Sequence, residues 1–123
     1  MFTISVETRF RASHKLVLPD GSTEPAHEHD WVVTADVSSA RLNAVGVVMD
    51  FRRLKSALNG VVAKFDNVLL NSVDHLRGDN PSAENVAKCI YEQLEPKLPK
   101  GVTLANITVV EEPGCAAKFC KGL

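Results

Sequence analysis

From Thr3 to His14 the chain alternates between apolar and polar positions. Ile4, Val6, Thr8, Phe10, Ala12 and His14 share one parity, and Glu7, Arg9 and Arg11 take the other. A period of two with one apolar side marks a strand buried on one face. The turn chemistry of LPDGST ends it. A second strand is expected from about His29 to Ser38, and RLNAVG reads as a hairpin connection to VVMDF. The period then changes to that of a helix: Leu54, Ala57, Leu58, Val61, Val62 and Phe65 recur behind Asp50, whose carboxylate suits an N-cap. A second helix is expected in GDNPSAENVAKCIYEQLEPKL. Ser82 or Asn80 is its cap, Pro81 lies near its first turn, and Val86, Ile90, Leu94 and Leu98 form its stripe. Pro96 ends or kinks it. LANITVVEE is a third strand, and AAKFCK a short fourth after the turn at Pro113 and Gly114.

The order strand, strand, helix, helix, strand, strand predicts an α+β fold, a four-stranded antiparallel sheet with two helices on one face. Such a sheet leaves edges that a small protein closes by oligomerising. The length, 123 residues, suits one domain spanning 1–123. A composition of 45% hydrophobic and 24% charged residues with a formal net charge of -1 offers no basic surface for nucleic acid or for electrostatic attachment to a membrane. The apolar runs fall far short of the roughly 20 residues that span a bilayer, and MFTISVETRF reads as a strand, not a signal peptide. The odd cysteine count (Cys89, Cys115 and Cys120), without a C-x-x-C pair, predicts a reduced, cytoplasmic protein.

The candidate chemistry begins in EPAHEHDWVV. Residues i and i+2 of a strand share a face, so His27 and His29 present two imidazoles side by side. A hairpin would bring His14, the last inward residue of the first strand, beside them. Three imidazoles without a fourth protein ligand make an open site suited to catalytic Zn2+. The plain alternative is a pair of solvated loop histidines.

Six segments, in order along nearly the whole chain, decide between these: FRASHKL, HEHDW, GVVMDF, FDNVLLN, DNPSAENVA and VVEEPGCAAKF. Together they resemble the 6-pyruvoyl-tetrahydropterin synthase and 6-carboxytetrahydropterin synthase family, with its F-x-A-x-H, H-G-H, G-x-x-x-D-F, L-D-H-x-x-L-N, N-P-T-x-E and late E-T. The resemblance implies the T-fold, with protomers assembled into a barrel, usually a hexamer made of two trimers. It implies zinc on His14, His27 and His29, a small-molecule pterin substrate gripped by Glu111, and a helix start at Asn80-Pro81-Ser82 from which Ser82 can touch substrate. A carboxylate suits the pterin edge because it accepts from two N–H donors at once.

The departures fall on the catalytic groups. Thr23 stands where the family has its proton-abstracting cysteine, and Asp66-Asn67 stands where it has Asp-His. Glu28 replaces the glycine between the metal histidines, and Glu112 the threonine of E-T. A branch of the family lacks the cysteine and carries a glutamate three residues before the first histidine of the pair, the place of Glu24; its members are associated with cleaving the dihydroneopterin side chain. The expectation is therefore a zinc-dependent lyase acting on 7,8-dihydroneopterin (tri)phosphate. Glu24 is its base, Asp66 orders water or substrate, and Lys15, Arg9 or Arg11 meets phosphate. His75 is a lesser candidate for the missing imidazole. The alternatives are 6-carboxytetrahydropterin synthesis in the queuosine pathway and a non-catalytic binder of pterin or purine.

Overall fold

The computed structural model describes residues 1–122. Two strands of equal length, β1 (Phe2–His14) and β2 (His27–Ser39), pair antiparallel along their whole length, from Phe2 opposite Ser39 to His14 opposite His27. Then come helix α1 (Phe51–Val62), a short strand β3 (Val68–Leu69), helix α2 (Ala83–Leu94), and strands β4 (Thr103–Glu112) and β5 (Cys115–Phe119). The sheet order is β3-β1-β2-β4-β5. The alternation of β1 is seen directly: Val6, Phe10, Ala12 and His14 are buried, and Glu7, Arg9 and Arg11 are exposed. Trp31, Val33, Ala35 and Val37 extend the same face on β2. Leu54, Leu58, Val61 and Val62 of α1, with Val86, Ile90, Tyr91 and Leu94 of α2, close the core over it. Asp50 caps α1 as expected, accepting from the Arg52 amide, and of the two candidates for α2 it is Ser82, not Asn80, that caps, accepting from the Asn85 amide. Pro96 lies in a single 3-10 turn after α2, and Leu98 packs partly buried against the core.

Two expectations need correction. The sheet has five strands, not four, and β3 runs parallel to β1, with Ala12 opposite Val68 and Ser13 opposite Leu69. Two residues carry too little pattern to be read. The strand forms because its lead-in is latched to β1: Asp66 Oδ1 accepts from the Arg11 amide at 2.9 Å, and the Asn67 amide donates to the Arg11 carbonyl at 2.6 Å. Nor do residues 47–51 form the far arm of a hairpin. The Asn43 side chain captures the amides of Val45 and Val47 at 3.0 and 3.2 Å, and Gly46 supplies a positive φ of 81°. This local turn competes with strand pairing and folds Val48 and Met49 back into the core.

β4 carries two irregularities. Its register against β2 slips between Asp36 and Val37, which turns both Leu104 and Ile107 inward despite their odd spacing. Its register against β5 slips after Val110, leaving Glu111 as an extra, unpaired residue. Glu111 shares the inward parity of Ile107 and Val109, so this unpaired residue carries its carboxylate on the core-facing side of the sheet.

Candidate metal and substrate site

Three neighbouring strands deliver one cluster at the end of the core-facing side of the sheet. β1 supplies His14, β2 supplies His27 and His29, and the β4 bulge supplies Glu111; one ligand atom from each lies within 4.8 Å of all the others. The ladder explains the convergence, since His14 is opposite His27, Ala12 is opposite His29, and all three histidines have inward parity. His14 Nε2 is 2.8 Å from His27 Nε2 and 3.4 Å from Glu111 Oε1, and His29 Nε2 is 3.8 Å from Glu111 Oε2. Trp31, fully buried, forms the floor, its ring centroid 5.0 Å from that of His14 and 5.8 Å from that of His29. It donates its indole N–H to the Ala12 carbonyl at 3.1 Å and stacks on Phe10.

The ring orientations suit a metal. His14 is 0% exposed, and its Nδ1–H donates to the Pro81 carbonyl at 2.7 Å, which leaves the Nε2 lone pair pointing into the cluster. His27 Nδ1 turns outward to the Pro25 carbonyl at 3.3 Å. His29 Nε2 is buried without a hydrogen-bond partner, and an orphaned buried nitrogen is costly unless something binds it. Donors about 2.0–2.1 Å from a shared tetrahedral zinc stand about 3.4 Å apart, close to the contacts seen here. The residues fit a divalent metal.

The other expected residues divide. Glu24 lies at the rim, its Oε1 3.7 Å from His27 Nδ1 and accepting from the Leu16 amide at 3.2 Å. Ser82 caps α2 beside Pro81 and, with Glu84, Glu111 and Cys115, borders a groove of about 450 Å³. Glu111, expected to grip a pterin, lies at the cluster with its two carboxylate oxygens 3.4 and 3.8 Å from the His14 and His29 Nε2 atoms. Asp66 is not brought to the cluster of its own chain, since it caps the β1 edge at Arg11. His75 borders a separate small cavity with Asp79, Lys88 and Cys89, where burial raises the Cys89 thiol pKa. Arg11 is engaged by Glu28 at 2.7 Å and Asp30 at 2.9 Å, and Glu28 holds the Arg11 pKa above its ordinary value. Arg9 remains on the open face of the sheet, bordering a groove of about 540 Å³ that His29 and Glu111 also line. The Pro81 carbonyl had no signal in the sequence, because any residue carries one.

A profile described as 6-pyruvoyl tetrahydropterin synthase matches residues 3–121. A dihydroneopterin monophosphate aldolase of Pyrococcus furiosus is 39% identical over 102 residues, 83% of this chain and 82% of that protein. A 6-carboxy-5,6,7,8-tetrahydropterin synthase of Synechocystis sp. is 32% identical over 124 residues, 97% of this chain and 93% of the relative. The structure of Caenorhabditis elegans 6-pyruvoyl tetrahydropterin synthase superposes with a TM-score of 0.86 at 21% identity, covering 98% of this chain and 96% of the other.

Proposed function

The chain belongs to the 6-pyruvoyl tetrahydropterin synthase family, and we propose that within it the protein is a zinc-dependent lyase that cleaves the side chain of a phosphorylated 7,8-dihydroneopterin. The observation that carries this reading is the position of Glu24, a carboxylate at the rim of a three-histidine cluster where the family cysteine is replaced by Thr23. The relative named an aldolase supports the same reaction class.

His14, His27 and His29 would hold the metal, which would supply acidification of the side-chain hydroxyls. Glu24 accepts the proton of the C2′ hydroxyl. The C1′–C2′ bond then breaks, C2′ leaves as an aldehyde, and the electron pair passes into the C6–N5 system of the ring. A proton returned to C1′ completes a 6-hydroxymethyl product. Glu24 Oε1 is tied to the Leu16 amide, so Oε2 is the free acceptor.

The ring lies in the groove beside Ser82. With Glu111 turned to the histidines, we assign the far edge of the bicyclic ring to a second carboxylate on the same groove. That edge therefore belongs to Glu84, exposed in the first turn of α2 on the same groove and without an ion pair among the described residues. Glu111 works instead at the metal end, as a neighbour of the reacting side chain. One observation favours the carboxypterin reaction as a second reading: the Cys115 thiol is exposed on this groove.

Incubation of the zinc-loaded protein with dihydroneopterin mono- and triphosphate, with products identified by chromatography and mass, tests both. A 6-hydroxymethyl product that vanishes with Glu24→Gln while zinc stays bound is expected. A carboxy product abolished by Cys115→Ser sinks the Glu24 reading, and binding without turnover sinks both.

A further inference from the structure

The segment between His14 and His27 carries Glu24, and two asparagines from distant parts of the chain hold it. The Lys15 amide donates to Asn71 Oδ1 at 3.0 Å, and Asn71 Nδ2 donates to the Lys15 carbonyl at 2.8 Å. The Val17 amide donates to Asn80 Oδ1 at 2.8 Å, and Asn80 Nδ2 donates to the Val17 carbonyl at 2.9 Å. The alternate residues use the opposite edge. The Glu24 amide donates to the Leu16 carbonyl at 3.0 Å, and the Leu18 amide to the Ser22 carbonyl at 2.7 Å. In extended chain, successive residues present their amide and carbonyl to opposite edges. The two carboxamides therefore occupy the edge where a neighbouring strand would lie, each offering one donor and one acceptor.

We propose that Asn71 and Asn80 are positioning residues. They hold residues 15–18 in strand geometry and, through the Leu16 amide, fix the Glu24 carboxylate beside His27 at the rim of the cluster; the catalytic consequence rests on Glu24 being the proton acceptor. The placement is economical. Asn71 lies in the turn after β3, and Asn80 precedes the α2 cap, with its own carbonyl held by Asn85 Nδ2 at 2.8 Å. The next residue, Pro81, receives the Nδ1–H of His14. A single dipeptide thus registers the Glu24 loop and a metal ligand against each other. Displacement of a reacting group by about 1 Å costs roughly a hundredfold in rate, so loss of one clamp has a measurable effect without unfolding the protein.

The test combines amide exchange by NMR with kinetics on the zinc-loaded protein. Asn80→Ala and Asn71→Ala are made in the wild-type and Glu24→Gln backgrounds, and the isosteric Asn80→Asp and Asn71→Asp guard against a folding defect. Asn80→Ala is expected to speed exchange at Val17 and Glu24 by about tenfold or more, with Val33 in β2 unchanged. It should lower kcat by about tenfold with KM and zinc content retained. In the Glu24→Gln background the same change costs little further, because the group being positioned is already gone. Unchanged exchange across residues 15–24, or an equal loss of kcat in both backgrounds, overturns the proposal. If Glu24→Gln itself leaves turnover intact, the link to proton transfer falls, and the exchange data alone then decide whether the asparagines hold the loop.

Discussion

At the scale of single residues, the cluster is assembled from side chains whose other atoms are already committed. His14 spends Nδ1 on the Pro81 carbonyl, His27 turns Nδ1 to the Pro25 carbonyl, and His29 leaves Nε2 buried and unpaired. Loss of a partner outside the coordination shell typically costs 10–100-fold in metal affinity, so His29→Ala, which removes a donor outright, is expected to weaken zinc binding by at least about a hundredfold in a chelator competition. Wild-type affinity in that variant would remove His29 from the ligand set. The neighbouring Glu111→Gln keeps the shape of the side chain and removes its charge. Since its oxygens stand 3.4 and 3.8 Å from two histidine nitrogens, its zinc affinity should also fall, by less than that of His29→Ala; unchanged affinity would mean that this carboxylate does not act at the metal.

At the scale of elements, strand periodicity and helix caps were legible because they are local. Ser82 is the α2 cap, and Ser82→Ala is expected to lower unfolding free energy by about 1 kcal/mol in urea melts. A fall in pterin affinity beyond the fraction unfolded would show that its hydroxyl also touches substrate. After α2 the Glu95 carboxylate receives Lys121 Nζ at 2.7 Å, and this contact holds its pKa below the ordinary value. A depressed carboxylate adds stability above its unfolded pKa and loses it as pH falls through the folded one. Glu95→Gln should therefore flatten the acid limb of stability against pH, and an unchanged limb would show that the ion pair is fully screened. The bulges were not legible. Nothing in VVEEPG marks Glu111 as the extra residue, because a bulge is a relation between two strands.

For the whole molecule, the open question is the sheet's edges. β3 covers β1 only at Ala12 and Ser13, and β5 pairs on one side only, with β4. Uncovered edges of this kind invite pairing with further copies, and a head-to-tail contact that closes makes a ring. The number of copies is what the family resemblance implies, a hexamer built as two trimers, and light scattering should then return the mass of six 13.4 kDa chains; a monomer at micromolar concentration would remove the barrel. Among the described residues no helix is long and apolar enough to cross a membrane.

The sequence by itself determined the α+β order, the two helices, the Asp50 cap, and the shared face of His27 and His29 beside the inward His14. These follow from backbone periods of two and 3.6 and from hydrogen bonds within a few residues. Only the tertiary structure decided that Asp66 latches β1, that Asn71 and Asn80 grip the Glu24 loop, and that Glu111 turns towards the histidines. The first two depend on pairing between residues some 55 to 63 positions apart, where the partner's backbone supplies the hydrogen bond, and a backbone group looks the same at every position in the sequence; the last depends on histidines that two other strands bring beside β4.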